Sequence, residues 1–244
     1  MAQLTGTMAV QQPPWSTRLN VTPFAPPTSD SALRVGGLIL AAGAGSRMGH
    51  RPKCLLQLDG ESLLARQLQA LTHSGVRPIR VVLGHYAERI LQEGALTHWG
   101  AQPVRNPQPD DGHVSSLRIG LRALPTDLDA VLVALADQPL IDTSAVLAML
   151  QAFAQRPAGT HLLQPSFQGL PGNPVVFSAA VMAQILAGPE HMGARQWMQS
   201  HPEAVYRWET PHDPYRVDVD NEEDIQTIEQ MTGKSLRWPD DLRP

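Results

Sequence analysis

The residues best suited to chemistry sit in one run, Leu40-Ala41-Ala42-Gly43-Ala44-Gly45-Ser46-Arg47-Met48-Gly49, followed closely by Arg51-Pro52-Lys53. Glycines let backbone N–H groups approach an anion with no Cβ in the way. Arg47 offers a planar fork that reaches two phosphate oxygens, and Lys53 a compact point charge. Closely spaced phosphates are the ligand such a set answers. Two commoner glycine motifs do not fit. No Gly-Lys-Ser/Thr opens the following helix, as a P-loop requires. The dinucleotide fingerprint needs a third glycine where this chain has Met48, with the glycine displaced to Gly49. A strand-to-loop glycine cluster without a ligand is the plainer alternative.

Four other segments carry chemical groups. In Leu135-Ala136-Asp137-Gln138-Pro139-Leu140, a carboxylate ends an apolar run beside a proline that stops it, a natural place for a metal ligand. The alternative, Asp137 as a helix cap, is weaker because Asp142 is better placed. In Val217-Asp218-Val219-Asp220-Asn221-Glu222-Glu223-Asp224, alternation puts Asp218 and Asp220 on one side of a strand, so both could face a metal. Read alone, the same charges suit a solvated helix start. Asn106-Pro107 with Gly112, Ser115, Ser116 and Gly120 reads as a loop entering a helix, able to offer N–H groups and a hydroxyl, or simply as an N-cap. Gly169-Leu170-Pro171-Gly172-Asn173-Pro174-Val175 is a turn feeding an edge strand or a second binding segment. The nine histidines show no metal-binding spacing and read as solvated or capping residues.

Positioning these groups requires a regular frame. Val35 to Ala41 is a continuous apolar run, a buried strand. Ser62 to His73 has apolar residues at helical spacing. Strands follow at Ile79–Leu83, Ala101–Arg105 and Ala130–Ala136, and helices at Ala87–Leu96, Val114–Leu124 and Thr143–Ala154. This alternation implies a mostly parallel sheet with helices on both faces and ligands beyond the carboxyl ends of its strands. The second half is less regular: strands at Val175–Phe177, Val205–Trp208 and Arg216–Val219, and helices at Ala179–Leu186 and Glu222–Met231.

The 244 residues suit one domain, at 35–233, between a Pro-rich segment at 1–34 expected to be disordered and a short tail at 234–244. A net charge of -4 gives no basic bias toward nucleic acid or an anionic membrane. Cys54 is the only cysteine, so neither an internal disulfide nor a multi-cysteine zinc site can form, as suits a reducing cytoplasm. No apolar run is long enough to span a bilayer.

The glycine-rich run, with Arg51-Pro52-Lys53, resembles the signature of the MobA-like NTP transferases, and within them the molybdenum cofactor cytidylyltransferases; the likeness extends from about Val35 to Met231. It implies a single Rossmann-like (GT-A-like) three-layer α/β domain with a mostly parallel sheet. It implies transfer of a nucleotidyl group from CTP, with Mg²⁺, to a molybdopterin-type phosphate acceptor, and a molybdenum hydroxylase apoenzyme as a further partner. Ala41-Ala42-Gly43 favours CTP, where the guanylyltransferase branch has Ala-Gly-Gly. By resemblance, Arg47, Lys53 and Asp137 are catalytic. Leu40, Ala41, Ala42, Gly43, Gly45, Ser46, Arg47, Lys53, Asn106, Gly112 and Ser116 hold the nucleotide, and Pro171, Gly172 and Asn173 lie toward the acceptor. Asp137 and Asp220 bind the metal, with Asp218 the alternative to Asp220. Four departures stand out: Ala136 replaces a glycine, Asn173 a histidine, Asn221-Glu222 a Thr-Pro pair, with asparagine still a good helix cap, and Glu190-His191 a Gly-Asp pair, leaving Arg195 either against an anionic acceptor or at the surface. Rival readings are a cytidylyltransferase for a sugar or polyol phosphate, a non-catalytic molybdenum cofactor chaperone, and the GTP-using branch.

Overall fold

The computed structural model describes residues 33–243; the expected disorder at 1–34 falls almost wholly outside them. In chain order the elements are β1 (Val35–Ala41), β2 (Gln57–Leu58), β3 (Glu61–Ser62), α1 (Leu63–His73), β4 (Ile79–Leu83), α2 (Ala87–Gln92), α3 (Ala95–His98), β5 (Gln102–Arg105), α4 (Gly112–Arg122), β6 (Ala130–Leu135) and α5 (Thr143–Ala154). They continue with β7 (Leu162–Phe167), β8 (Leu170–Pro171), β9 (Val175–Ser178), α6 (Ala179–Ala187), α7 (Ala194–Ser200), β10 (Val205–Glu209), α8 (Glu222–Thr232) and β11 (Leu236–Arg237).

The central sheet runs β10-β7-β9-β6-β1-β4-β5, with β8 hairpinned onto β7. It is parallel from β5 through β4 and β1 to β6, and parallel again between β7 and β10; β9 runs against both its neighbours. Helices cover both faces, because each central strand alternates its apolar side chains. In β1 and β6, Ile39, Leu132 and Ala134 pack with α1, α2 and α5. Leu38, Val131 and Val133 point the other way, toward α4, α6 and α7. Helix α4 lies very close to the sheet: a Cβ on Gly120 would come within 2.3 Å of Leu38.

The strand order reverses at β1, which pairs with β4 on one side and β6 on the other. Such a reversal leaves a crevice at the carboxyl ends of these strands. A second, small sheet (β11-β2-β3) and α8 enclose a satellite core of Met48, Leu56, Leu63, Val219, Ile228 and Trp238 beside that crevice.

Two expectations are corrected here. The segment 234–244 is not a loose tail over its described part: β11 pairs with β2, and Leu236 and Trp238 are buried. Residues 216–219 form no strand. The Val-Asp alternation reads the same in an extended segment without ladder partners; Val219 enters the satellite core and its N–H donates to the Asp137 carbonyl at 3.1 Å.

Candidate functional site

The glycine-rich segment leaves β1 and folds back on itself. Met48 N–H and His50 N–H both donate to the Gly45 carbonyl, at 2.8 and 3.0 Å. Gly45 has φ +59°, and a Cβ there would lie 2.0 Å from the Arg51 carbonyl oxygen, so only glycine closes this turn. Met48, in the place where a dinucleotide fingerprint has its third glycine, is instead fully buried in the satellite core and anchors the loop. Gly43 has nothing within 4 Å of its would-be Cβ, which leaves its backbone open to a ligand. Tyr86, just after β4, donates its hydroxyl to the Ala44 carbonyl at 2.8 Å and steadies the loop from outside.

Behind the loop, Arg51 donates to the Met48 carbonyl at 2.8 Å, to the Leu242 carbonyl at 3.2 Å and to Glu222 at 2.7 Å. Its guanidinium also lies over the Trp238 ring, 4.3 Å from the centroid. Asp241 receives both arms of Arg89 from α2.

Next to β1, β6 delivers Asp137: Leu40 pairs with Leu135, and Ala136 N–H donates to the Leu40 carbonyl at 3.2 Å. The 218–220 segment comes from the other side. Asn221 caps α8 by accepting from Glu223 and Asp224 N–H, while the Asp224 carboxylate accepts from Asp220 and Asn221 N–H. That capping box fixes the backbone on which Asp220 stands.

The charged groups meet at Lys53. Its Nζ lies 2.7 Å from Asp137 Oδ2 and 2.9 Å from Asp220 Oδ1. Arg47 approaches Asp220 from solvent at 3.5 Å, with three quarters of its side chain exposed. Burial works against the Lys53 ammonium, but Asp137 and Asp220 outweigh it and hold its pKa above the ordinary lysine value. The same contact with Lys53 holds the Asp220 carboxyl below its usual range. Asp218 goes the other way: desolvation in the cleft, then the neighbouring Asp137 and Asp220 charges, raise it. Cys54, buried beside Lys53, is pushed up to about 12 by its burial and stays a neutral thiol.

These segments enclose an open cleft of about 420 Å³. The structure brings together in it Leu40, Ala41, Ala42, Gly43, Gly45, Ser46, Arg47, Lys53, Gly112, Ser116, Asp137 and Asp220, and Asp218 beside them. The first turn of α4 also lines the cleft and has no side-chain cap; Gly112 N–H is taken by the Pro109 carbonyl, and the N–H groups after it are the ones an anion could reach. His113 on that turn lines the cleft as well; histidine spacing did not signal it, and its position directly after Gly112 was the only cue.

Four expected residues stand outside this cleft. Asn106 is buried and donates to Ser115 and Ser116 hydroxyls at 3.2 and 3.0 Å, so it shapes the wall on which Gly112 and Ser116 sit. Pro171 ends β8, and Gly172 and Asn173 lead from it toward β9; this connection is joined to the site through Gln138, whose side chain donates to the Asn173 and Tyr215 carbonyls.

Among the described residues, no three His, Cys, Asp or Glu side chains are arranged to hold a metal by themselves. Asp137 and Asp220 nevertheless converge on one cationic atom, and their hard oxygens suit Mg²⁺. That ion commonly takes one or two carboxylates and completes its shell with water and phosphate oxygens. The residues present therefore fit a metal site finished by the substrate.

A mixed, mostly parallel sheet with a phosphate-type loop, two cations and paired carboxylates at its switch point defines a nucleotidyltransferase domain. The sequence matches the MobA-like NTP transferase domain over residues 37–205, and the chain belongs to that family. Among curated relatives it is 30% identical to nicotine blue oxidoreductase of Paenarthrobacter nicotinovorans, across 81% of this chain and 94% of that protein. It is 37% identical to the bifunctional protein GlmU of Mycolicibacterium gilvum, across 55% of this chain but only 27% of that protein, so it spans about a quarter of that relative's length. Among solved structures, a nucleotidyl transferase from Methanothermobacter thermautotroptrophicus superimposes with a TM-score of 0.66 at 25% identity, covering 83% of this chain and 98% of that one. Rv0371c from Mycobacterium tuberculosis H37Rv gives 0.69 at 22%, covering 82% and 100%, and has also been solved as a manganese complex. A cytidylyltransferase from Leptospira borgpetersenii gives 0.61 at 20%, covering 81% and 86%. No helix among the described residues is long and apolar enough to cross a membrane.

Proposed function

We propose that the chain is a Mg²⁺-dependent cytidylyltransferase that joins CMP from CTP to the terminal phosphate of a molybdopterin-type acceptor, forming a cytosine dinucleotide cofactor and releasing pyrophosphate. The observation that carries this reading is Lys53 held between Asp137 and Asp220 on the floor of the cleft that the glycine-rich loop encloses. CTP as donor rests on Ala41-Ala42-Gly43, and the likeness to a cytidylyltransferase is in keeping with it. A divalent metal is in keeping with the manganese complex of a neighbour of the same fold.

The reaction would form one P–O bond, from an acceptor phosphate oxygen to the α-phosphorus, and break the α–β bridging P–O bond. Phosphate oxygens are already nucleophilic, so no protein base is needed, and catalysis is alignment plus charge neutralisation. In this reading the Gly43–Gly45 backbone and the first turn of α4 orient the triphosphate between them. Arg47 and Lys53 offset the charge that grows on the departing pyrophosphate. Asp137 and Asp220 would hold Mg²⁺, which supplies further neutralisation of the phosphate oxygens when bound. The turn at Pro171–Asn173 would border the acceptor, and a molybdenum hydroxylase apoenzyme is the natural recipient of the product.

The test is pyrophosphate release from purified protein with Mg²⁺, each of the four NTPs, and in parallel arms molybdopterin cofactor, a sugar phosphate or a polyol phosphate. Release with CTP and the molybdopterin acceptor alone is expected. Release only with a sugar or polyol phosphate, or only with GTP, overturns the acceptor or the nucleotide assignment; CTP binding with no release in any arm supports a cofactor-binding role instead.

A further inference from the structure

Gln138 follows the catalytic-site aspartate directly, yet it faces away from the cleft and is 3% exposed. Its side-chain Nε2 donates to two carbonyls, Asn173 and Tyr215, each at 3.1 Å. Its own carbonyl accepts from Gln67 Nε2 of α1 at 2.9 Å, and Gln67 is fully buried. One residue thus joins the end of β6, helix α1, the 171–174 turn and the segment that leads to Asp218 and Asp220.

The amide orientation is fixed by this arrangement. Both neighbours are carbonyl acceptors, so the NH₂ group must face them, and the Oε1 atom is left buried without a partner. Leaving a buried amide oxygen unpaired is costly. A methionine of similar length would avoid that cost but would take the donor away from the Asn173 and Tyr215 carbonyls, so what a glutamine supplies here is this pair of cross-links.

The contacts around it close a loop. Asn173 N–H donates to the Tyr215 carbonyl at 2.7 Å, and a Cβ on Gly172 would come within 2.6 Å of that same oxygen. Tyr215 is itself pinned by its hydroxyl to the Ala145 carbonyl of α5 at 3.0 Å. Further along, Val219 N–H returns to the Asp137 carbonyl at 3.1 Å. The 171–174 segment is thus tied to Tyr215, which lies five positions before Asp220 in the chain.

We infer that Gln138 is a positioning residue that couples the acceptor-side turn to the paired carboxylates, so that the geometry around the acceptor sets the geometry of Asp137 and Asp220. This rests on the cytidylyltransferase reading for the identity of the acceptor, while the coupling itself is a property of the fold. Small misplacements of reacting groups cost turnover steeply, on the order of a hundredfold for an ångström.

Gln138→Met keeps the length and removes both donated hydrogen bonds, while Gln138→Glu leaves at most one donor, the O–H of a protonated carboxyl. Two measurements on the full chain test the inference. Amide hydrogen exchange is expected to speed up together at Asn173 and Val219, by about tenfold or more, while β1 amides such as Ile39 keep their protection. Turnover at saturating acceptor is expected to fall by about ten- to a hundredfold, with CTP affinity within about twofold of wild type. Acceleration confined to Asn173, unchanged exchange at both amides, or loss of CTP affinity in step with turnover overturns the coupling. If the wild-type protein releases no pyrophosphate with CTP and the acceptor, the cytidylyltransferase reading fails, and the exchange measurement still decides on Gln138.

Discussion

Replacing Lys53 with methionine should make the protein's stability depend on divalent metal more than the wild type's does. The wild-type ammonium neutralises Asp137 and Asp220 at 2.7 and 2.9 Å. Without it, two carboxylates face each other with Asp218 nearby, and the exposed Arg47 and the His113 ring are left to compensate. The side chains of Lys53 and Asp137 are each 20% exposed and that of Asp220 is 46% exposed, so the cost lies between the surface and buried limits. Surface ion pairs contribute about 0–1 kcal/mol, and breaking a buried pair costs about 3–5 kcal/mol; about 2 kcal/mol is the expected loss. For a domain of this size that lowers Tm by roughly 4–8 °C. Mg²⁺ at about ten times its Kd would restore roughly 1.4 kcal/mol. In the wild type the ammonium competes for the same oxygens, so the restoring effect there is smaller. The assay is thermal melting of both proteins in chelator and across a Mg²⁺ series, alongside turnover. Equal Mg²⁺ stabilisation of the two proteins, or a variant that melts at the wild-type temperature without metal, would refute the shared cationic site. Turnover should fall about 10²–10³-fold, as for loss of one charge-stabilising donor, and near-normal rates would remove Lys53 from its assigned role.

Three further outcomes follow from the loop and the carboxylates. Gly45→Ala forces a left-handed backbone on alanine at about 1–2 kcal/mol and adds the clash with the Arg51 carbonyl, so nucleotide affinity by calorimetry should drop at least about tenfold; retained affinity would show that the turn is not needed closed. Tyr86→Phe removes a single hydrogen bond to Ala44, and KM for the nucleotide should rise about two- to tenfold with kcat little changed; a change in kcat alone would place the tyrosine's effect elsewhere. Asp218→Asn bears on pH. A carboxyl raised in the folded state favours folding fully only below its unfolded value, near 3.8, and loses that contribution as pH rises through the folded value. The amide removes this dependence, so the variant should melt higher than wild type at pH 7–8, with the advantage fading toward pH 4; a lower Tm at pH 7 would contradict the sign.

The parts of the site readable in the sequence are those whose chemistry is local. Glycines, Arg47 and Lys53 lie within a dozen residues, and β1 and β6 announce themselves as apolar runs. Capping by Asn221 was also legible, since the signal is a single side chain beside its own helix. Long-range features were not. That Lys53 bridges Asp137 and Asp220 depends on three segments meeting, and no spacing rule encodes it. Strand β7 has Pro165 inside it and pairs partly with an antiparallel neighbour, so neither composition nor rhythm marks it. The 216–219 segment alternates as a strand would, but alternation records which side chains face the core, not whether a ladder partner exists. Helix α2–α3 breaks at Glu93–Gly94, where Gly94 takes φ +71° and one expected helix becomes two. The 234–243 segment has no period because its burial comes from β2, Met48 and Arg51, all contributed by the opposite end of the domain.

That last contact has a bearing on how the protein comes off the ribosome. The glycine-rich loop is buttressed by Arg51, and Arg51 is buttressed in turn by Leu242, 191 residues further along the chain. At synthesis rates of about 5–20 residues per second, that span takes roughly 10–40 s to translate. During this interval the first strand and its loop exist with no Trp238 beneath the guanidinium. Until residues 238–242 have been made, Arg51 has neither the Trp238 ring nor the Leu242 carbonyl to hold it, so the support behind the glycine-rich loop is one of the later contacts the domain can form.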